Sequence, residues 1–248
     1  MKNAKNKKTR LDHLVHEQGM AESREKAKRM IMAGLIRVNG EPVFKPGKLI
    51  AADNSISRIQ KSLFVSRGGE KLDGFFQDYS LEVNGKTCMD IGASTGGFTD
   101  CLIKKGAKKV YAVDVGKGLI DWRLRNNPRV TLFEKVNARY LSKDIIPEKC
   151  DICVMDVSFI SVEKIIPAVY NLLARNGVIL ALIKPQFEAG RKSVGKKGIV
   201  KDINVHKQVI EKIETFSRSL DLNVLAVIPS RVKGSKGNQE YFMLLKKG

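Results

Sequence analysis

The segment Met89–Phe98 reads Met-Asp-Ile-Gly-Ala-Ser-Thr-Gly-Gly-Phe, and it decides the fold of the larger part of the chain. The apolar residues around Asp90 predict a buried strand, the three glycines predict a loop, and the residues from Phe98 to Lys105 predict a helix. Glycines let a backbone approach a ligand closely, at the point where an open parallel sheet usually binds one. The segment therefore predicts a ligand-binding strand, loop and helix, with an ordinary strand-turn-helix corner as the alternative.

Comparison with two known motifs limits the kinds of ligand that this loop is expected to bind. A phosphate-binding P-loop would need Lys and then Ser or Thr after its last glycine, but Phe98 follows Gly97. The dinucleotide fingerprint would need a glycine where Ser94 stands. The next predicted strand, Val110–Val115, contains Asp114, at a position where an acid accepts both hydroxyls of a ribose. S-adenosylmethionine has a ribose and no phosphate, so this nucleoside fits the pattern best.

The composition favours an anionic partner. The chain has 248 residues, enough for one α/β domain and a small module, and 43% of them are hydrophobic, enough for a core. Its formal net charge is +19, and its pI is about 9.8. A charge so far from zero favours nucleic acid or an anionic membrane as the partner, with a merely solvated basic surface as the alternative.

Membrane insertion, secretion and metal binding are not expected. The longest apolar run, Val178–Ile183, is far shorter than the ~20 residues that cross a bilayer. The basic N-terminus is not followed by the apolar stretch of a signal peptide. The four cysteines lie in apolar or helical patterns, and the chain has only three histidines, so no zinc site is expected. We expect a cytoplasmic protein with free thiols.

Residues 1–60 are predicted to form a small α+β domain. One helix is predicted from Thr9 to Gln18, and a second from the N-cap Ser23 to Gly34. A strand then runs into a hairpin at Asn39-Gly40, because these residues tolerate the positive φ of such turns. The small sheet is predicted to continue through Val43, Phe44 and Leu49.

The segment Arg24–Gly40, REKAKRMIMAGLIRVNG, resembles the S4 RNA-binding domain, and this resemblance extends over about residues 9–55. It implies that a basic helix face meets RNA phosphates and RNA shape, with a plain basic helical cap as the alternative. Further basic residues occur after the domain and in the glycine-rich loop Gly190–Gly198. The residues predicted to bind RNA are Arg10, Arg24, Lys28, Arg29, Arg67, Arg191, Lys192, Lys196 and Lys197.

Residues 61–248 are predicted to form a doubly wound α/β domain. After a junction at 56–66, an amphipathic helix is predicted over Gly68–Tyr79. Apolar strands then alternate with helices, which indicates a mostly parallel sheet covered on both faces, and the short last connection predicts an antiparallel final strand. The predicted strands are Thr87–Ile91, Val110–Val115, Val130–Glu134, Ile152–Val157, Gly177–Lys184, Leu222–Pro229 and Glu240–Lys246, and the helices lie near 96–105, 117–125, 161–174 and 209–220.

Four charged residues stand at the edges of these apolar elements. Lys71 precedes the first strand of the sheet, Asp156 and Lys184 end two later strands, and Glu240 opens the last one. The carboxyl ends of parallel strands converge on the ligand crevice, so we expect Asp156 and Lys184 to be neighbours opposite the Gly92–Gly97 loop. Taken singly, each of the four has a solvated side chain or a surface ion pair as its alternative interpretation.

The whole chain resembles the TlyA family, whose catalytic domain is related to the FtsJ-type ribose 2′-O-methyltransferases. The resemblance rests on the S4-like module and on the segments SRGGEKL, DIGASTGGFTD, MDVSFIS and KPQFEAG. It implies a Rossmann-like class I methyltransferase fold, S-adenosylmethionine as the cofactor, and a cytidine ribose of ribosomal RNA in a ribosomal subunit as the substrate. It also implies a Lys-Asp-Lys-Glu tetrad, and its four positions match Lys71, Asp156, Lys184 and Glu240.

The chemistry of methyl transfer agrees with such a tetrad. A ribose hydroxyl is a weak nucleophile, so its proton must leave as the oxygen attacks the methyl carbon. A lysine takes that proton only in its neutral form, which a second ammonium and partial desolvation favour and a nearby carboxylate opposes. We interpret Lys184 as the base, Asp156 as the group that orients it, and Lys71 with Glu240 as substrate-positioning groups. The transfer needs no metal.

The predicted cofactor site is built from strand ends and the glycine loop. Asp114 is the predicted ribose acceptor, and the resemblance places Asn137 at the adenine, with Arg139 beside it. The full set of predicted cofactor-binding residues is Asp90, Gly92, Ser94, Gly96, Gly97, Phe98, Asp114, Asn137 and Asp156.

Three other functions stay open at this stage. A dinucleotide enzyme would use the same kind of sheet, but Ser94 argues against it. A pore-forming haemolysin, a label that this family has carried, finds no support in a sequence without a spanning helix or a series of alternating strands of ~10 residues. An RNA-binding factor with an idle methyltransferase fold would bind RNA without transferring a methyl group.

Overall fold

The computed structural model describes residues 8–51, 53–58, 63–190, 193–195 and 198–248. The chain divides into two compact units, Met1–Lys61 and Ser62–Gly248. Each unit has its own apolar core.

The N-terminal unit packs two helices against short strands. Its elements are β1 (Lys8–Arg10), α1 (Leu11–Glu17), α2 (Arg24–Met32), β2 (Ile36–Val38), β3 (Glu41–Pro42), β4 (Leu49–Ala51) and β5 (Ile56–Arg58). Ser23 caps α2 as predicted, because its Oγ accepts a hydrogen bond from the Lys26 amide at 3.2 Å. The predicted hairpin also forms, with φ values of 53° at Asn39 and 84° at Gly40.

Two pairings in this unit differ from the sequence prediction. Leu49 does not extend the β2–β3 sheet; it lies in β4, which pairs antiparallel with β1 in a separate two-stranded sheet. Ile56–Arg58 is not a linker but the strand β5, which pairs antiparallel with β2. Val43 and Phe44, which were predicted to continue the sheet, lie outside any strand. The two strands that were not predicted, β1 and β5, have three residues each and partners distant in the sequence, so local patterns carry little signal for them.

The C-terminal unit is a seven-stranded sheet with helices on both faces. Its helices are α3 (Arg67–Asp78), α4 (Gly97–Lys104), α5 (Trp122–Arg125), α6 (Ile166–Leu172), α7 (Pro185–Glu188) and α8 (Ile203–Arg218). Its strands are β6 (Thr87–Ile91), β7 (Lys109–Asp114), β8 (Val130–Glu134), β9 (Cys150–Met155), β10 (Leu173–Ile183), β11 (Leu222–Pro229) and β12 (Tyr241–Lys247).

The strand order is β11-β12-β10-β9-β6-β7-β8. The pairs from β10 to β8 are parallel, whereas β12 is antiparallel to both of its neighbours. Side chains alternate between the two faces of the sheet: Met89 packs in the core with α6 and α8, and Cys88 packs with α3 and α4. The predicted fold, a mostly parallel α/β sheet with an antiparallel last strand, is confirmed.

The helix predicted near 117–125 is confined to Trp122–Arg125. Gly118 has a φ of 72°, which a continuous helix cannot contain, and the Asp121 side chain caps the short helix by accepting from the Arg123 amide at 2.9 Å. Strand β10 begins at Leu173, earlier than predicted, with an irregularity before Val178. Within the described parts of the chain, we find no helix with the length and apolar character required to cross a bilayer.

Candidate active site

The four residues of the predicted tetrad form two ion pairs. Lys71 Nζ lies 2.7 Å from Glu240 Oε2, and these side chains are 12% and 2% exposed. Lys184 Nζ contacts Asp156 Oδ1 directly, and it also donates to Ser158 Oγ at 3.1 Å. Each ammonium is thus held by a carboxylate in a largely buried setting, where ionic contacts are stronger than in water.

The sheet topology brings the two pairs together. Asp156 follows β9 and Lys184 follows the adjacent β10, so both stand at the same sheet edge. In the antiparallel β10–β12 ladder Ile183 pairs with Tyr241, which sets Lys184 opposite Glu240 one residue further on. Gln186 Nε2 donates to Glu240 Oε1 at 3.3 Å and links the segment after Lys184 to the second pair.

A cavity of about 240 Å³ opens beside the Lys184–Asp156 pair. Its wall combines the glycine loop after β6, the start of α3 and the segments after β9 and β10. The lining residues are Ser66, Gly68, Gly92, Ala93, Ser94, Thr95, Gly97, Phe98, Asp156, Ser158 and Lys184. The predicted neighbourhood of Asp156, Lys184 and the glycine loop is therefore present.

The glycines of the loop are required by close backbone contacts. Gly92 has a φ of 84°, and a Cβ at this position would lie 2.5 Å from the Asp156 carbonyl oxygen. A Cβ on Gly97 would lie 2.7 Å from the Gly69 amide nitrogen at the start of α3. Larger side chains would push Asp156 and α3 away, so these glycines keep the loop, the acid and the helix in contact.

Asp90 is buried beneath the loop and does not line the cavity. Thr99 Oγ1 donates to Asp90 Oδ2 at 2.6 Å, and Asp90 Oδ1 has no hydrogen-bond partner among the described residues. Burial raises the pKa of Asp90 to about 7, although the Thr99 hydrogen bond lowers it and the Asp156 charge raises it further. Asp90 thus joins the end of β6 to helix α4, and its contact with the cofactor stays a prediction.

Asp114 and Asn137 lie at neighbouring strand ends. Asp114 Oδ2 accepts from the Ser94 amide and Oδ1 accepts from the Gly116 amide, each at 2.7 Å. Asn137 is exposed after β8, and its side chain accepts from the Arg139 amide at 3.1 Å. Asp114 therefore holds the glycine loop in place, and each of its oxygens keeps a further lone pair for another donor.

Phe159 is a feature that the sequence prediction missed. It is 90% exposed, and its ring centroid lies 4.9 Å from that of Phe187, which follows Lys184 closely in sequence. Its φ is 63°, an uncommon value for a bulky residue and one that is typical of functional sites. An aromatic residue in the short segment Val-Ser-Phe-Ile-Ser after Asp156 was the available signal.

The predicted RNA-binding residues are distributed over both units. In the N-terminal unit, Arg10 and Arg24 both hydrogen-bond Asp12, Lys28 pairs with Glu25, and Arg29 is exposed. In the C-terminal unit, Arg67 donates to the Lys233 carbonyl at 3.0 Å. Arg191, Lys192, Lys196 and Lys197 lie outside the described residues, so their role stays a prediction.

Comparisons with known proteins agree with this geometry. The FtsJ-like methyltransferase family matches residues 64–247, and the S4 domain matches residues 9–56. The chain is 37% identical to the 16S/23S rRNA (cytidine-2′-O)-methyltransferase TlyA of Mycobacterium tuberculosis, over 97% of this chain and 90% of that protein. It is 43% identical to Hemolysin A of Brachyspira hyodysenteriae, over 94% of this chain and 97% of that protein.

A solved structure of a candidate hemolysin from Streptococcus thermophilus is similar over the whole chain. Its sequence is 41% identical, the match covers 97% of this chain and 88% of that one, and the TM-score is 0.75. The chain therefore belongs to the FtsJ-like methyltransferase family, in the group that contains TlyA, and it joins an S4 domain to a methyltransferase that uses S-adenosylmethionine.

Proposed function

We propose that this enzyme methylates the 2′-hydroxyl of a cytidine ribose in ribosomal RNA, within a ribosomal subunit in the cytoplasm. We also propose residues 1–60 as its RNA-binding domain and residues 61–248 as its catalytic domain. The observation that carries the proposal is the Lys184–Asp156 ion pair at the cavity. The Lys71–Glu240 ion pair lies next to it, because Glu240, just before the neighbouring strand, stands opposite Lys184.

The residues present suit S-adenosylmethionine. Gly92 and Gly97 line the cavity, and because they carry no side chains Asp156 and the start of α3 can lie close to the loop that would hold the cofactor. Asp114 offers carboxylate oxygens for the ribose hydroxyls, and Asn137 is proposed to contact the adenine. When bound, the cofactor supplies an electrophilic methyl group on a positively charged sulfur.

The contacts of the four residues support a proposed role for each of them. Lys184 in its neutral form is proposed to take the proton from the ribose 2′-oxygen. Bound S-adenosylmethionine would supply the methyl group that this oxygen accepts. Asp156 and Ser158 fix the position of Nζ during the transfer. Lys71, held by Glu240, positions the substrate ribose, and in-line alignment of the reacting atoms supplies much of the acceleration.

The proposal is tested by methyl transfer from labelled S-adenosylmethionine to isolated ribosomal subunits, with mapping of the 2′-O-methylated nucleotide. We expect Lys184→Ala to abolish incorporation while RNA affinity changes by no more than a few-fold. Lys212→Ala is the matched control, because Lys212 is a half-exposed lysine that pairs with Glu163. Full activity of Lys184→Ala, or wild-type protein that binds RNA without methylating it, would refute the proposal. Leakage of lipid vesicles by the pure protein would instead support the hemolysin alternative.

A further inference from the structure

Asp12 is a wholly buried carboxylate in the N-terminal unit, and both of its oxygens are bound by arginines. Arg10 Nε and Nη2 donate to Asp12 Oδ1 and Oδ2, each at 3.0 Å, in a two-point contact. Arg24 Nη2 donates to Oδ2 at 3.3 Å. The Asp12 side chain is 0% exposed, whereas those of Arg10 and Arg24 are 50% and 47% exposed. One hidden acid thus holds two half-exposed guanidinium groups.

This arrangement is fixed from several directions. The Leu11 and Asp12 amides donate to the carbonyls of Lys48 and Pro46, at 2.9 and 3.0 Å, so the start of α1 is attached to the turn before β4. A Cβ on Gly47 would lie 3.1 Å from Arg10 Nη1, which shows how closely that guanidinium lies on the turn. The Arg10 hydrogen bonds lower the pKa of Asp12, so the carboxylate stays ionised near neutral pH.

Two acids near the start of α2 differ from Asp12 in exposure. Glu22 and Glu25 pair with Lys26 and Lys28, but their side chains are 84% and 73% exposed. Such pairs rearrange readily in water and contribute little. A guanidinium has five N–H groups. Arg10 uses two of them on Asp12 and Arg24 uses one, which leaves up to three and four for other acceptors.

We propose that Asp12 is the positioning residue of the RNA-binding surface, holding Arg10 and Arg24 as a rigid pair whose outward N–H groups bind phosphate oxygens of the RNA backbone. This inference rests on the proposed function. A planar guanidinium that is already fixed loses less conformational entropy on binding, and it matches the geometry of a phosphate. Exposed Lys45 and Lys48, on the same turn, extend the surface.

The charge of Asp12 makes the proposal sharply testable, because simple electrostatics predicts the opposite result. Removing a negative charge from a basic surface raises affinity for a polyanion. We expect Asp12→Asn to lower the affinity of the full chain for deproteinised ribosomal RNA by about tenfold, since two arginines lose their fixed positions. Glu22→Gln, which removes the same charge from an exposed acid, is expected to keep or slightly raise the affinity. An Asp12→Asn protein that binds as tightly as Glu22→Gln would overturn the proposal.

A double-mutant cycle separates positioning from loss of structure. In an Arg10→Ala, Arg24→Ala background, Asp12→Asn is expected to cause no further loss of RNA affinity, because there is nothing left to position. A further loss in that background would show that Asp12 only stabilises the fold, and it would overturn the proposal. In methylation assays we expect Asp12→Asn to raise KM for RNA and to leave kcat unchanged. Wild-type protein that binds RNA but does not methylate it would refute the proposed function alone.

Discussion

At the scale of single residues, burial decides how the charged groups of this chain behave. Asp12, Asp90 and Glu240 are all nearly or fully buried, yet Asp12 and Glu240 have cationic partners and Asp90 has a hydroxyl. An unpaired carboxyl in the interior favours its neutral form. The protonation of Asp90 therefore links the pH to the stability of the fold.

We predict a pH-dependent difference in stability between Asp90→Asn and the wild type. The folded-state pKa of Asp90, about 7, is above its ordinary value of 3.8, so the folded chain binds more protons than the unfolded chain between these values. The contribution of Asp90 to the free energy of unfolding therefore falls as the pH rises between these two pKa values. At about 1.4 kcal/mol per pH unit, the total fall is up to about 4 kcal/mol. The variant does not titrate there.

Urea unfolding at several pH values measures this difference. The free energy of unfolding of Asp90→Asn, relative to the wild type, is expected to increase from about pH 4 to about pH 7. The Thr99 hydrogen bond lowers the Asp90 pKa, so Thr99→Val should raise that pKa further and widen the pH range over which the difference grows. A difference that stays constant with pH would show that Asp90 is ionised in the folded chain.

We predict that Phe159 contributes to substrate binding and little to stability. Its side chain is 90% exposed, so Phe159→Ala should shift the melting temperature only slightly. Loss of a base-stacking ring costs about 1–3 kcal/mol, so methyl transfer to RNA should fall roughly five- to 150-fold. Phe159→Tyr should retain most activity, and Leu225→Ala, on the exposed edge strand β11, serves as the control. Unchanged transfer by Phe159→Ala would exclude a stacking role.

At the scale of elements, the sequence patterns correctly predicted those features that depend on residues close together in the chain. The cap at Ser23, the turn at Asn39-Gly40 and the strand-loop-helix unit at Met89–Phe98 each depend on neighbouring residues. Strand β5 was missed because its pairing with β2 joins residues far apart in the sequence. Likewise, Lys71 and Glu240 are 169 positions apart in the sequence. Their common site was predicted from the resemblance to a family, because no sequence spacing relates them.

We predict that Gly92→Ala damages the cofactor site more than its backbone φ alone explains. Gly85 is the matched control, since its φ of 73° resembles the 84° of Gly92 and a Cβ there meets nothing within 4 Å. Gly85→Ala should cost about 1–2 kcal/mol for the left-handed backbone. Gly92→Ala should cost roughly 1–3 kcal/mol more, because the Cβ collides with the Asp156 carbonyl.

Thermal melting and calorimetric titration with S-adenosylmethionine test both variants. Gly85→Ala should bind the cofactor like the wild type, and Gly92→Ala should bind it weakly or not at all. Equal losses in the two variants would mean that the contact between the loop and Asp156 is unimportant for binding.

At the scale of the whole molecule, the excess of positive charge sets how the two ligands respond to salt. With a net charge of +19, RNA binding should involve several phosphate contacts. We predict that RNA affinity falls about 10³-fold or more between ~50 and ~200 mM salt if six or more phosphates are neutralised. The cofactor carries little net charge and binds in a cavity, so its affinity should change by only a few-fold. Filter binding measures the RNA affinity and calorimetry measures the cofactor affinity over a series of salt concentrations. If both affinities fell equally steeply with salt, the RNA interface would not be dominated by phosphate contacts.

The interior place of β12 has a consequence for how the protein is made. This strand lies between β10 and β11 but follows both in the sequence. During synthesis the growing chain must therefore keep β10 open until its last partner emerges, and an open strand invites pairing with other chains. A translation product that stops before residue 240 has neither that partner nor Glu240. We expect such products to be recognised by chaperones and proteases and removed before they accumulate.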